Sequence, residues 1–386
     1  MAHFNLDVLI AGAYGSGNLG DDVLLGIVFD LVRDQIEVAD VGILGTDSGY
    51  LDRLAKGATL VPRNQSYDVR THVCIYGGGT QFFLFKGQQT LISRLAIAFR
   101  NPRYAIRRLM GVYRQCISAN YKAMIGIGFG PFETDSPYIS TVNNTIAGCE
   151  LIAVRDEASY LFCQRHGHEL AYLAADIAFC SSFQDKLFHA SNSSETATPD
   201  PPPEKLRIAF ILRDWTHGGG HHSHIRNSLT AATQMQKLGH EIEFVIFGRD
   251  PGLDRTLLAA IGNVVQWDPD TSTEEAFIAQ LHRYDLIASA RFHGAVFAFL
   301  LGIPTIGICI DPKISLFMDR IGQPDMKWEM PYDPSEILTK ARARLFARED
   351  PHHGKSDQVL KQLTKQADKM CSDLSGFLVK HFGSRS

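Results

Sequence analysis

The run Asp285-Leu286-Ile287-Ala288-Ser289-Ala290-Arg291-Phe292-His293-Gly294-Ala295 constrains this chain more than any other stretch. The residues after Asp285 are apolar or small and read as a short buried strand. Gly294 opens an apolar segment, Ala295 to Leu301, that reads as a buried helix. Gly302-Ile303-Pro304 stops it, and Thr305 to Ile310 makes the next strand. Buried strand, buried helix and buried strand in that order call for a parallel sheet covered by helices. In an open parallel sheet, ligands bind outside the carboxyl ends of the strands. Arg291 and His293 stand at that position, beside a helix N-terminus that favours an anion.

The same pattern recurs along the chain. Leu6 to Ala11 reads as a strand that runs into Gly15-Ser16-Gly17-Asn18-Leu19-Gly20, with a helix from about Asp21 to Arg33. The glycines formally match a dinucleotide fingerprint. Asp21 and Asp22 argue against that use: they occupy the helix turn where a pyrophosphate would sit, and carboxylates repel phosphate. One of them facing a ligand could instead meet sugar hydroxyls or act as a base. Val41 to Leu44 and Val73 to Tyr76 read as further strands, and Gly77-Gly78-Gly79 follows as a turn where backbone can approach a ligand or a neighbouring loop. Ala123 to Ile127 and Leu151 to Val154 complete the series. Arg155 stands at the end of the last of these, with Asp156 and Ser159 suited to cap the next helix. At the surface Arg155 would simply pair with Asp156 or Glu157; its strand-end position also suits it to anchor an anion. Asp176 reads as structural.

Ser191 to Glu204 is rich in Ser, Thr and Pro and reads as an extended linker. A second strand–helix half opens at Leu206 to Leu212. The chain therefore divides into an N-terminal domain over 1–190, the linker 191–204, a second domain over 205–345 and a helical extension over 346–386. The fold expected is α/β, with two Rossmann-like domains facing across a cleft (GT-B-like) and C-terminal helices packing back. Arg213 repeats the strand-end position of Arg155 and Arg291. The stretch after it carries His217, His221, His222 and His224 around three adjacent glycines, which deny a metal the rigid frame it needs. It reads as a mobile loop at the cleft mouth.

With 386 residues, 45% hydrophobic and 21% charged, the chain has room for two ordinary cores. A net charge of −4 argues against a general nucleic-acid binder. No basic region with a long apolar core opens the sequence, no apolar run reaches membrane-spanning length, and the seven cysteines show no Cys-x-x-Cys pair. These features fit a cytoplasmic protein. One segment departs from the average: Val69 to Phe132 holds no Asp or Glu, while Lys86, Arg94, Arg100, Arg107, Arg108 and other basic residues alternate with aromatic and aliphatic ones. That mixture suits either a solvated basic face or peripheral contact with an anionic membrane on the inner face of the cell.

Four blocks in order carry a family resemblance: Gly17-Asn18-Leu19-Gly20-Asp21-Asp22, Gly77-Gly78-Gly79, Val154-Arg155-Asp156-Glu157-Ala158-Ser159, and Arg291-Phe292-His293-Gly294 with the Gly-Ile-Pro turn and Asp311-Pro312-Lys313. Together they resemble the polysaccharide pyruvyl transferases. The resemblance implies a transferase that moves the pyruvyl group of phosphoenolpyruvate onto two hydroxyls of a sugar in a polysaccharide precursor, giving a cyclic ketal. It implies no metal or organic cofactor, and a sugar acceptor that a lipid diphosphate could carry. A donor with a carboxylate and a phosphate needs forked cations. Arg291, Arg155, Arg213 and Lys313 are the candidates, with Asn18, Gly77, Gly78, Gly79 and Gly294 as further binding positions. His293 is the candidate acid, and Asp21, Asp22 or His293 itself the candidate base. Two rivals stand beside this reading. One is a glycosyltransferase of the same two-domain build using a nucleotide sugar. The other is a non-enzymatic sugar- or nucleotide-binding module built around Gly15 to Gly20.

Overall fold

Alternating apolar runs build two all-parallel sheets, each with its own helices. The structure is a computed structural model and describes residues 4–37, 40–46, 49, 51–63, 69–82, 117–132, 137–192, 205–215, 223–248, 251–262, 264–346 and 353–383. Most of the basic segment, the linker from 193 and the histidine-rich loop at 216–222 lie outside the described residues. Contacts divide the chain into two compact units.

The first unit comprises Met1–Ser16, Leu24–Ile177 and Gln366–Ser386. Its strands are β1 (Phe4–Tyr14), β2 (Val41–Gly45), β3 (Thr59–Pro62), β4 (Val69–Phe82), β5 (Ile117–Phe129), β6 (Leu151–Val154) and β7 (Ala171–Leu173). They lie in the order β3-β2-β1-β4-β5-β6-β7, the doubly-wound order that reverses at the β1/β4 pair. The helices are α1 (Leu19–Gln35), α2 (Leu51–Leu54), α3 (Pro137–Ala147) and α4 (Glu157–Arg165). Asp156 caps α4, its carboxylate accepting from Ser159 N at 2.8 Å, as the sequence suggests. Val8, Leu9 and Ile10 are wholly buried because both faces of a central parallel strand are covered.

Gly77–Gly79, read from sequence as a turn after the strand, fall within β4, with Gly78 and Gly79 in the left-handed region at φ 67° and 78°. The three glycines are inside the strand, which pairs onward as far as Phe82 opposite Phe129. A Cβ on Gly77 would lie 2.8 Å from the Tyr14 hydroxyl, which donates to Gly77 O. One on Gly78 would lie 2.8 Å from Leu24 Cδ1. Gly77 and Gly78 let β4 pass close to Tyr14 and to α1.

The second unit comprises Gly17–Val23 and Ala178–Lys365. Its strands are β8 (Arg207–Ile211), β9 (Glu241–Ile246), β10 (Val264–Gln266), β11 (Leu286–Ser289), β12 (Thr305–Ile308) and β13 (Lys327–Trp328), in the order β10-β9-β8-β11-β12-β13. The helices are α5 (Ser181–Asn192), α6 (Ser223–Lys237), α7 (Pro251–Ile261), α8 (Glu274–Ala279), α9 (Phe292–Leu300), α10 (Pro312–Arg320), α11 (Pro334–Phe346) and α12 (His353–Phe382). Every residue of α9 from His293 to Phe299 is buried, which is why its sequence shows no polar face. Asp311 caps α10 by accepting from Lys313 N at 3.1 Å, with Pro312 in the first turn.

The units differ from the expected domains at both ends. The boundary falls at Ile177/Ala178, ahead of α5, so α5 belongs to the second unit. The end of α12 counts with the first unit: Asp373 accepts from the Tyr172 hydroxyl at 2.5 Å, and His381 stacks on Tyr121 with centroids 3.7 Å apart. The segment Gly17–Val23 counts with the second unit, far in sequence from the rest of it.

Candidate active site

In the second sheet Ile211 of β8 lies beside Ser289 of β11, and Ser289 lies beside Gly307 of β12. The residues just past these positions therefore share one edge of the sheet. That edge gathers Arg213 after β8, Arg291 after β11 and Asp311 to Lys313 after β12. Strand order reverses between β8 and β11, and ligand crevices form at such a reversal.

Arg291 is the N-cap residue of α9 and has extended backbone. Buried Ser289 fixes it from below: its hydroxyl accepts from Arg291 N at 3.2 Å and donates to Arg291 O at 2.8 Å. This local knot starts the helix at Phe292, earlier than the Gly294 start read from sequence. Gly294 is consequently inside the first turn. A Cβ there would overlap the Ser289 hydroxyl and lie 3.0 Å from Ile211 Cδ1. The missing side chain lets α9 seat closely on the sheet at Ser289 and Ile211.

The Gly17–Val23 segment packs directly against this helix start. Arg291 Nη1 donates to Asn18 Oδ1 at 3.3 Å, and Asn18 Nδ2 donates to Asp21 Oδ2 at 2.6 Å. Leu19 N donates to Phe247 O at 2.8 Å. Trp267 Nε1 donates to Asp22 Oδ2 at 3.2 Å. A Cβ on Gly20 would overlap Nδ1 and Cγ of His293 and lie 2.8 Å from its Cβ. Only glycine lets the helix backbone rest on the imidazole there. On α9 itself, His293 stacks on Phe297 with centroids 5.9 Å apart and meets the edge of Phe292 at 5.2 Å. His293 is 9% exposed.

The two carboxylates separate. Asp22 is 0% exposed and held by the Trp267 indole, so it does not face a ligand, contrary to one of the sequence-based alternatives. Asp21 is partly exposed and one hydrogen bond away from Asn18, which itself touches Arg291.

Arg213 lies with its guanidinium 4.6 Å over the Trp215 ring, and its carbonyl accepts from Nε2 of buried His224 at 2.9 Å. Tyr332, in the left-handed region at φ 61°, sets its ring 6.1 Å from His224 and donates to Cys309 O at 3.1 Å. Lys313 pairs with Asp311 at 3.0 Å. Burial pushes the Cys309 thiol up to about 12, so it supplies no thiolate near neutral pH. Among the described residues, no group of three or more His, Cys, Asp and Glu is placed to hold a metal ion.

Arg155 is in the first unit. It is 3% exposed, with Nη1 on Asp176 Oδ2 at 3.1 Å and Nη2 on Thr80 Oγ1 at 2.6 Å. Asp156 adds a longer contact at 3.7 Å. A buried guanidinium needs a counter-charge, and Asp176 supplies it. Both arms of the Arg155 fork are thereby engaged inside the protein, so an anion would have to displace Asp176 or Thr80. Asp176, read from sequence as structural, is 3% exposed and is the buried partner of Arg155.

Comparison with known proteins places this chain in a family. Residues 18–312 match the family described as polysaccharide pyruvyl transferase. The chain belongs to the polysaccharide pyruvyl transferase family. Every candidate residue from Asn18 to Gly294 falls inside the matched span, and Lys313 is one residue beyond it. A search of curated sequences finds no match. Among solved structures, this pyruvyl transferase family member is similar in fold to a putative UDP-N-acetylglucosamine 2-epimerase from Listeria monocytogenes. The TM-score is 0.56 at 9% identity, covering 99% of this chain and 97% of the other. The UDP-GlcNAc 2-epimerase from Neisseria meningitidis, bound to UDP-GlcNAc, matches with TM-score 0.52 at 10% identity, covering 97% and 100%. The enzyme of that name from Methanocaldococcus jannaschii matches with TM-score 0.54 at 9% identity, covering 97% and 100%. At these identities the likeness is one of fold, the GT-B-like α/β class. Among the described residues no helix is long and apolar enough to cross a membrane.

Trp267, Phe247 and Ser289 were given no role from sequence, although each shapes this site. Trp267 and Phe247 carry one readable signal: both are bulky apolar residues just past a strand, at the ligand-facing edge.

Proposed function

We propose that this pyruvyl transferase moves the pyruvyl group of phosphoenolpyruvate onto two hydroxyls of one sugar, releasing phosphate and leaving a cyclic ketal. The observation that carries the reading is the Arg291–His293 pair at the strand-order reversal, with Asn18 and Asp21 hydrogen-bonded to the arginine in series.

The chemistry divides among these groups. Arg291, with Arg213 on the neighbouring strand end, offers planar forks to the donor carboxylate and phosphate. Lys313 adds a point charge already partnered by Asp311. His293 protonates the donor methylene, and the adjacent carbon becomes electrophilic. The first sugar hydroxyl adds to that carbon and gives its proton to Asp21 or to the depleted imidazole. Phosphate then departs and the second hydroxyl closes the ring. In sum, one hydroxyl proton ends on the new methyl group and the other on phosphate. The acceptor in this reading is a polysaccharide precursor carried on a lipid diphosphate, and the basic segment gives the protein its peripheral hold on an anionic membrane.

The test is phosphate release from phosphoenolpyruvate with lipid-linked and free oligosaccharides as acceptors. Acceptor-dependent release with a ketal methyl signal in the product is expected. Inert phosphoenolpyruvate, with a nucleotide sugar consumed instead, would favour the glycosyltransferase alternative.

A further inference from the structure

The first turn of α1 is held at two points with Gly20 lying between them. Leu19 N is fixed on Phe247 O at 2.8 Å, and Asp22 Oδ2 accepts from Trp267 Nε1 at 3.2 Å. Trp267 is itself rigid. Its backbone N–H donates to Ile246 O at 2.9 Å, its ring meets Phe277 edge-on at 5.4 Å, and it is 2% exposed. Between these clamps Gly20 rests on the His293 imidazole, and Phe297 stacks on that ring from within α9. The imidazole is thus bounded by α1 backbone and by an aromatic ring of its own helix.

We propose that Trp267 is a positioning residue. Its indole N–H holds Asp22, and through the first turn of α1 it fixes the plane in which the His293 imidazole presents its proton. This rests on the reading of His293 as the acid for phosphoenolpyruvate, and it gives buried Asp22 a role that contact with substrate cannot.

Two variants probe the effect. Trp267→Phe keeps an aromatic ring against Phe277 and removes the donor together with the second ring of the indole. Asp22→Asn keeps an acceptor for the indole and serves as the conservative control. In 15N-histidine-labelled protein, the His293 signal is assigned by its loss in His293→Gln. It is expected to move in Trp267→Phe and to stay close to the wild-type position in Asp22→Asn. Turnover of phosphoenolpyruvate in Trp267→Phe should fall about 10- to 100-fold, the penalty of a small misplacement of a reacting group. The dissociation constant for phosphoenolpyruvate should stay within about two-fold, because Arg291 is untouched. Gly20→Ala should lower turnover similarly, and the double variant should lose little more than either alone. An unmoved His293 signal overturns the proposal whatever the substrate. So does a fall in turnover matched by an equal fall in donor affinity. Should the wild-type enzyme not use phosphoenolpyruvate, the reading of the reaction fails, and the histidine signal alone decides the positioning role.

Discussion

Removing the Arg155 side chain separates a structural from a ligand-binding role for this residue. Arg155 and Asp176 are each 3% exposed and 3.1 Å apart, and the second arm of the guanidinium holds Thr80 at 2.6 Å. Arg155→Ala leaves the Asp176 carboxylate buried without its main counter-charge. Breaking a buried pair from one side costs about 3–5 kcal/mol, far more than the pair's net worth, because the remaining charge keeps its desolvation penalty. The longer contact with Asp156 at 3.7 Å involves a partly exposed carboxylate and adds little. Removing both charges in Arg155→Met/Asp176→Leu eliminates that penalty. The double variant should therefore be more stable than Arg155→Ala by about 2 kcal/mol or more. Urea unfolding followed by circular dichroism compares the three proteins, and calorimetry with phosphoenolpyruvate measures donor binding. Arg155→Ala within about 1 kcal/mol of wild type, with donor affinity lost, would refute the structural assignment and return Arg155 to the anion site.

Replacing His293 by Ala should lower phosphoenolpyruvate turnover by about 10²- to 10⁴-fold while donor binding persists. Steady-state phosphate release checks this, and turnover within a few-fold of wild type would remove the acid assignment. The protein should co-sediment with anionic vesicles and not with neutral ones, because Val69 to Phe132 carries basic residues and no acidic ones. Equal binding to both would count against membrane contact through that segment.

The central strand and helix of the second unit were legible because both are buried on all sides, so their sequences read as unbroken apolar runs. Strand ends were legible for the same reason, and with them the edge that carries Arg213, Arg291 and Lys313. What sequence did not reveal depends on partners distant in the chain. Asp22 is an ordinary acidic residue in a first helical turn until Trp267 is brought onto it. Gly20 fits a nucleotide fingerprint as well as it fits a platform for His293; the difference is a packing contact 273 positions away. Arg155 looks like Arg291 locally, each following a buried strand, but Asp176 folds back on one and Asn18 meets the other. The strands β3, β7 and β13 were missed because they are short, only partly buried strands at sheet edges, so they show no unbroken apolar run. Gly77–Gly79 were read as a turn because two glycines in the left-handed region inside a strand look, in sequence, like glycine in a loop.

The most direct test of the account is calorimetric titration of phosphoenolpyruvate into the wild-type protein and into Arg291→Lys. An ammonium cannot reproduce the fork, and a lost charge-assisted hydrogen bond is worth about 1.5–3 kcal/mol. The account predicts saturable binding to the wild type and an affinity about 10- to 100-fold weaker in the variant. Equal affinity in the two proteins, or no binding to the wild type, would contradict it.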